Sequence, residues 1–225
     1  LVVIGQGDPD AENNTQSRYI AEELVIGSPR PVLVIPFAGQ YGEFGNHIVV
    51  GWNNQDILEE CFQSIDEQTY LHKKIYFVDN DSKDDSVKMV AAKFPHVIIL
   101  AQDDNTGFAK GNNIGIAKAL EDNSAGYCML LNSDARLDPE WTSRVVAMDR
   151  NKPKGALYQG TTLDYYDHGV IDSTHIFISR NGQGTQGNWR KPYTYDSGPK
   201  KVFGVNAAAC MITRAFLEAQ PFTQV

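Results

Sequence analysis

The chain has 225 residues, a formal net charge of −8 and 42% hydrophobic residues, with ten tyrosines and ten phenylalanines. That much apolar material can close a buried core, which excludes global disorder, and the acidic balance provides no basic stripe for nucleic acid. Cys61, Cys128 and Cys210 are dispersed and form no CxxC pair, so buried thiols in a reducing compartment are expected rather than a disulfide frame or zinc site.

In chain order, LVVIG (1–5) reads as a buried strand, 17–24 as a helix, and VLVI between Pro31 and Pro36 as a second strand. FAGQYGEFGN (37–46) has three glycines and no periodicity, and reads as a linker. A more regular pattern starts at His47. A strand to Trp52 precedes a helix in which Ile57, Leu58, Cys61, Phe62 and Ile65 share one face, with Asn54 or Asp56 as N-cap. A strand at KIYFVDN, a helix over 84–93, a strand at HVIIL, a helix over 108–120 and a strand at YCMLLN follow. The alternation predicts an α/β fold with a mostly parallel sheet covered by helices on both faces. Both ends read as cut: Leu1 opens in mid-strand and QPFTQV ends no element. The longest apolar runs are strand length, well short of the ~20 residues that span a bilayer, and no export signal is recognisable.

In parallel sheets ligands bind beyond the carboxyl ends of the strands, so the residues following each strand are the informative ones. They are DNDSKDDS, QDDNTGFAKGNNIG and NSDARLDPE. Asp, Asn, Ser and Gly form turns and caps for local reasons, yet three such segments in succession point to a polar ligand. Phe108 and Ile116 read as core. Asp138 to Glu140 read as a helix cap, with Pro139 at the first helical position.

The words WNNQDILEECFQSI, FVDNDSKDDS, NTGFAKGNNIGI, LLNSDARLDPE and GVNAAACMITRAFLEA resemble, in order and spacing, a family 2 glycosyltransferase, in particular its rhamnosyltransferase-like branch, over 47–219. The resemblance implies a GT-A fold, Rossmann-like, and a donor nucleoside-diphosphate sugar. Asp79 would receive the base, with Asn53 also at the donor, Asn80 and Ser82 shaping the turn, Asn105 in the turn before the next helix, Asn112 or Asn113 near the pocket, and Gly107 and Gly111 where backbone approaches the donor or a neighbouring strand. Asn132, Ser133 and Asp134 stand where the family has its DxD motif. Asn132 and Ser133 are thus expected at the donor, and Asp134 as the ligand of Mg2+ or Mn2+. The implied reaction is inverting transfer to a hydroxyl of a saccharide or lipid-linked acceptor in polysaccharide or cell-surface glycan synthesis. The implied setting is the cytoplasm, at the inner face of the membrane by peripheral association.

No residue in 1–225 matches the family's catalytic base, an acidic EDxD-like motif expected beyond 225, so donor binding with poor turnover is the expectation. Asp164, Asp167 and Asp172 are carboxylates without a matched role. Over 154–201 the pattern is irregular and reads as the acceptor side, where Tyr165, Tyr166, His168, Trp189 and Tyr193 either stack on sugars or pack. Residues 1–46 resemble the last β-α-β of a universal stress protein domain. That family's nucleotide motif, G-x2-G-x9-G-[ST], is not matched by Gly5, Gly7 and Gly27-Ser28, which argues against ATP binding. The alternative to a transferase is a stress-protein-like nucleotide-binding or interaction module, or a fusion with no single function.

Overall fold

The computed structural model describes residues 2–5, 32–35, 44–151, 156–180, 182–194 and 198–219. The expected helix over 17–24, the Gly27-Ser28 pair, most of the 37–46 linker and the QPFTQV end lie outside them.

Strands β1 (Val2–Gly5) and β2 (Val32–Ile35) pair in parallel as a separate two-stranded sheet. The main sheet is built from β3 (Phe44–Gly51), β4 (Lys73–Asp79), β5 (Ile98–Ala101), β6 (Ala125–Asn132), β7 (Leu157–Gln159) and β12 (Ala209–Thr213), in the order β5-β4-β3-β6-β12-β7. From β5 to β6 all pairings are parallel, and β12 is antiparallel to both β6 and β7. β3 begins three residues before the expected strand, because Phe44 to Asn46 already pair with β6 and Gly45 and Asn46 with β4. The short pairs β8 (Thr162–Leu163) with β9 (Ile171–Ser173), and β10 (Ile176–Ile178) with β11 (Gly184–Gln186), lie outside the main sheet.

Because side chains alternate along a strand, β3 supplies both cores. Ile48 and Val50 pack with Tyr76, Val78, Cys128 and Cys210 beneath helices α3 (Gly107–Leu120) and α5 (Arg214–Ala219). Val49 packs with Ile75, Phe77 and Met129 beneath α1 (Gln55–Asp66) and α2 (Ser86–Lys93), with Phe62 edge-on to Phe77. A third cluster seats α4 (Trp141–Asn151) through Val145 and Val146 on Tyr127 and Met211. The class is the one expected, α/β with a mostly parallel sheet and helices on both faces. All three thiols are buried, as expected.

Two apolar expectations are corrected. Phe108 is 51% exposed and Ile57 39% exposed, whereas Ile116, Leu58, Cys61, Phe62 and Ile65 are buried. The face that α3 turns to the sheet is set by glycines: a Cβ at Gly111 would come within 2.8 Å of Val50, and one at Gly115 within 2.3 Å of Ile48. That approach leaves Phe108, in the first turn, outside the contact.

Candidate functional site

The carboxyl edge of the parallel strands divides into two parts. The first is the set of loops after β3, β4 and β5, where local turn chemistry and long-range hydrogen bonds interlock. Asn53 and Asp81 adopt left-handed backbone, φ 48° and 63°, a conformation that Asn and Asp tolerate better than most residues. The Asn53 N–H donates to Ser82 Oγ at 2.9 Å, and the Lys83 N–H donates to Asn53 Oδ1 at 2.7 Å. Next to this clasp, the Gln55 N–H donates to Asp84 Oδ2 at 3.1 Å, which fixes the start of α1 on the β4–α2 loop.

Asp79, at the end of β4, is 3% exposed. Its Oδ2 accepts from the Ser82 N–H at 3.1 Å, while Oδ1 is buried with no partner among the described residues. Asn80 faces the loop ahead of α3: its Nδ2 donates to the Gly107 carbonyl at 3.2 Å and its Oδ1 accepts from the Thr106 hydroxyl at 2.9 Å. Asn105 closes the same turn by accepting the Gly107 N–H at 2.9 Å, and Gly107 takes φ 77°. Gly111 serves close approach to β3 and to Asn80. Asn112 is buried and its Nδ2 donates to the Phe108 carbonyl within its own helix, at 2.9 Å.

The second part begins at the end of β6. Asn132 presents a buried Oδ1 that has no partner among the described residues, and its N–H donates to the Ala208 carbonyl at 2.8 Å. Asn54 is the N-cap of α1 by position, as expected, but its side chain bonds Ser133 Oγ across the edge instead of capping the helix. Gly51 makes room for it, since a Cβ there would lie 2.8 Å from Asn54 Oδ1. Asp134 makes no hydrogen bond or ion pair among the described residues, and with Asn132 it lines a cavity of about 750 Å3. The other walls include Arg136, Trp141, Gly160, Leu163 and Asn206.

The loop carrying Asp134 is held from below. Gln68 Nε2 donates to the Asp138 carbonyl at 2.7 Å, and the Leu137 N–H donates to Ser64 Oγ at 3.1 Å. Gln68 Oε1 accepts from the Thr142 N–H and hydroxyl, and Thr142 Oγ1 lies 3.3 Å from Nε2 of the fully buried His47. Burial is the main cause that lowers the His47 pKa to about 3, so the ring is neutral at pH 7. Asp138 Oδ1 accepts the Glu140 N–H at 3.0 Å in the turn that leads into α4, the capping role expected, but α4 starts at Trp141, so Pro139 lies ahead of the first helical position and not at it. Above the cavity Arg136 pairs with Glu60 at 3.1 Å and lies 4.4 Å from the Tyr165 ring centroid, and Tyr165 in turn bonds Glu60.

Among the described residues no three His, Cys, Asp or Glu side chains gather as a metal cage. The donor set at Asp134 nevertheless fits Mg2+ or Mn2+. Such ions take oxygen ligands and are commonly held by one or two carboxylates, with substrate phosphates and water completing the shell. An unpaired carboxylate and an orphaned amide oxygen two residues away are donors of that kind.

Sequence reasoning located the strand ends but gave Asn54 only a capping role and missed Gly51, Gly115, Gln68 and Thr106. The partners of Asn54, Gln68 and Thr106 lie 79, 74 and 26 positions away. The two glycines carried a signal, as each stands where a strand end or helix face must approach another element closely.

A family model for glycosyl transferase family 2 matches residues 47–219. Among solved structures the chain is similar to the mannosyltransferase PcManGT from Pyrobaculum calidifontis in complex with GDP-Man and Mn2+, with 18% identity, TM-score 0.48, and coverage of 68% of this chain and 44% of that one. It is also similar to S. aureus TarS 1-349 in complex with UDP, with 15% identity, TM-score 0.47, and coverage of 62% and 43%. The chain thus spans less than half the length of these structures. A search of curated proteins returned no match.

Proposed function

The chain belongs to glycosyl transferase family 2, and on that premise we propose that it binds a nucleoside-diphosphate sugar at the carboxyl edge of its sheet, for inverting transfer of the sugar to an acceptor hydroxyl. The observation that carries this reading is the row of buried, unpartnered oxygens at that edge: Asn54 Oδ1 after β3, Asp79 Oδ1 ending β4 and Asn132 Oδ1 ending β6. A buried acceptor left without a donor costs about 1 to 3 kcal/mol, so three on neighbouring strands favour a ligand that brings N–H or O–H groups or a bound cation.

In this reading Asp79 accepts from the nucleobase. The Asn53–Ser82 and Asn80–Thr106 clasps keep its slot open. Asp134, with Asn132 and Ser133 beside it, would hold Mg2+ or Mn2+ for the diphosphate. When bound, the cation offsets charge on the leaving group. The acceptor is a saccharide or lipid-linked sugar in glycan assembly, reached from the cytoplasm by peripheral contact with the inner membrane face. Among the described residues no helix is long and apolar enough to cross a membrane. For the segment ahead of β3 we propose a separate unit, supported by the parallel pairing of β1 and β2 in a sheet of their own.

Calorimetry with UDP-, dTDP- and GDP-sugars, with and without Mn2+, tests the reading. Binding of at least one donor that needs Mn2+ and is lost in Asp134→Ala is the expected result. Metal-independent ATP binding with no response to any donor would instead favour a stress-protein-like module.

A further inference from the structure

The cavity next to Asp134 carries one carboxylate to which neither the sequence nor the proposed reaction gives a role. Its walls include four aspartates, Asp134, Asp138, Asp164 and Asp172. Two of them are occupied by their own turns. Asp138 Oδ1 accepts the Glu140 N–H, and Asp164 Oδ1 accepts the N–H groups of Tyr166 and Asp167 at 3.0 and 3.1 Å. Asp164 Oδ2 also lies 3.4 Å from Arg190 Nη1. Asp172 is different. It makes no hydrogen bond or ion pair among the described residues, although it is half-buried in the middle of β9, between the buried Ile171 and Ser173.

An Asp in that position has lost part of its hydration without gaining donors. Burial, and next the Asp164 carboxylate, raise its pKa, while Arg190 works in the opposite direction. The other titratable side chains that line the cavity are Arg136, Tyr165 and His168. The backbone holds the residue next to Asp172: the Ile171 N–H donates to the Lys191 carbonyl and the Arg190 N–H to the Ile171 carbonyl, so β9 is held at Ile171 by the 190–191 segment in addition to its pairing with β8. A fixed, partly desolvated carboxylate with free lone pairs suits a ligand rich in hydroxyl donors and suits a diphosphate poorly, because like charges repel. Thr161, Thr162 and Asn206 line the same cavity and add neutral polar groups.

We propose that Asp172 is the residue that receives the hydroxyls of the transferred sugar, on the β8–β9 wall of the cavity, and so helps to set which sugar is accepted. The inference rests on the donor-site reading above. It separates the cavity into a diphosphate end at Asp134 and a sugar end at Asp172. Hydrogen bonds to a charged acceptor are the strong class, and losing them for the sugar alone corresponds to about a tenfold change in affinity.

The test compares each nucleoside diphosphate with its sugar conjugate, UDP against UDP-hexoses, dTDP against dTDP-rhamnose and GDP against GDP-mannose. Calorimetry would use the full chain with Mn2+, for wild type, Asp172→Asn and Asp172→Ala. The expected result is a conjugate Kd about tenfold weaker in both variants, with the Kd of the bare diphosphate unchanged. The unchanged diphosphate also shows that the variants are folded. Equal weakening of both ligands would overturn the inference, and so would no change in either. Unchanged conjugate affinity with lost transfer would assign Asp172 to the acceptor instead and would equally overturn it. If wild type binds neither ligand class, the donor-site reading itself fails, and this inference with it.

Discussion

The two ends of the candidate site use similar residues in opposite ways. In the loops after β3, β4 and β5, Asn53, Asn80, Ser82 and Asp84 use hydrogen bonds on one another's loops, and Asn105 closes its own turn. In the cavity beyond β6, Asp134 and Asp172 use none among the described residues. The first set builds a rigid rim, and the second is left available to whatever enters. A polar side chain at a strand end therefore has two different meanings here, and only its partners distinguish them.

The contrast can be broken most severely at Asn80. Asn80→Ala would leave the Thr106 hydroxyl without its acceptor and remove the side-chain bond to the Gly107 carbonyl, and is expected to lower stability by about 2 to 3 kcal/mol, read as a shift of the urea midpoint. A change below about 0.5 kcal/mol would mean that the rim is not braced as described.

His47 tests whether the support beneath the Asp134 loop depends on a neutral ring. Its folded pKa of about 3 lies below the ordinary histidine value of 6.5. The unfolded chain therefore binds the proton more readily, and stability is full above about pH 6.5 and falls as the pH drops toward 3. The slope contributed is about 1.4 kcal/mol per pH unit within that window. Urea midpoints at pH 7 and pH 5 should show the fall in wild type and a flatter response in His47→Gln.

Asp134→Asn is the reverse case. Stability should stay within about 0.5 kcal/mol of wild type, since no partner is lost, while Mn2+-dependent donor affinity should fall on the order of a hundredfold. A clear loss of stability would place Asp134 with the bracing residues. The smallest effect is expected at Glu60→Gln, which weakens an exposed pair with Arg136 by roughly 0.5 kcal/mol and is read by thermal melting.

The sequence alone determined the order of strands and helices, because apolar periodicity and turn residues act within a few neighbours. It placed Asp79, Asn105, Asn132 and Asp134 at strand ends for the same reason. It also identified Asp138 as a cap, since the Glu140 N–H is two residues away. It could not show that Phe108 is exposed, because that depends on how closely Gly111 and Gly115 let α3 approach β3.

Nor could the sequence separate Asp164 from Asp172. Asp164 is satisfied by its own turn and faces Arg190, whereas Asp172 lines a cavity whose walls come from β6, the 206–209 segment and the β8–β9 pair. Such walls meet only after the antiparallel strands β12 and β7 have been added to the parallel sheet. The types and order of the polar groups are local properties of the chain. Which of them keep free lone pairs is settled by contacts between segments tens of residues apart, and only the tertiary structure decides it.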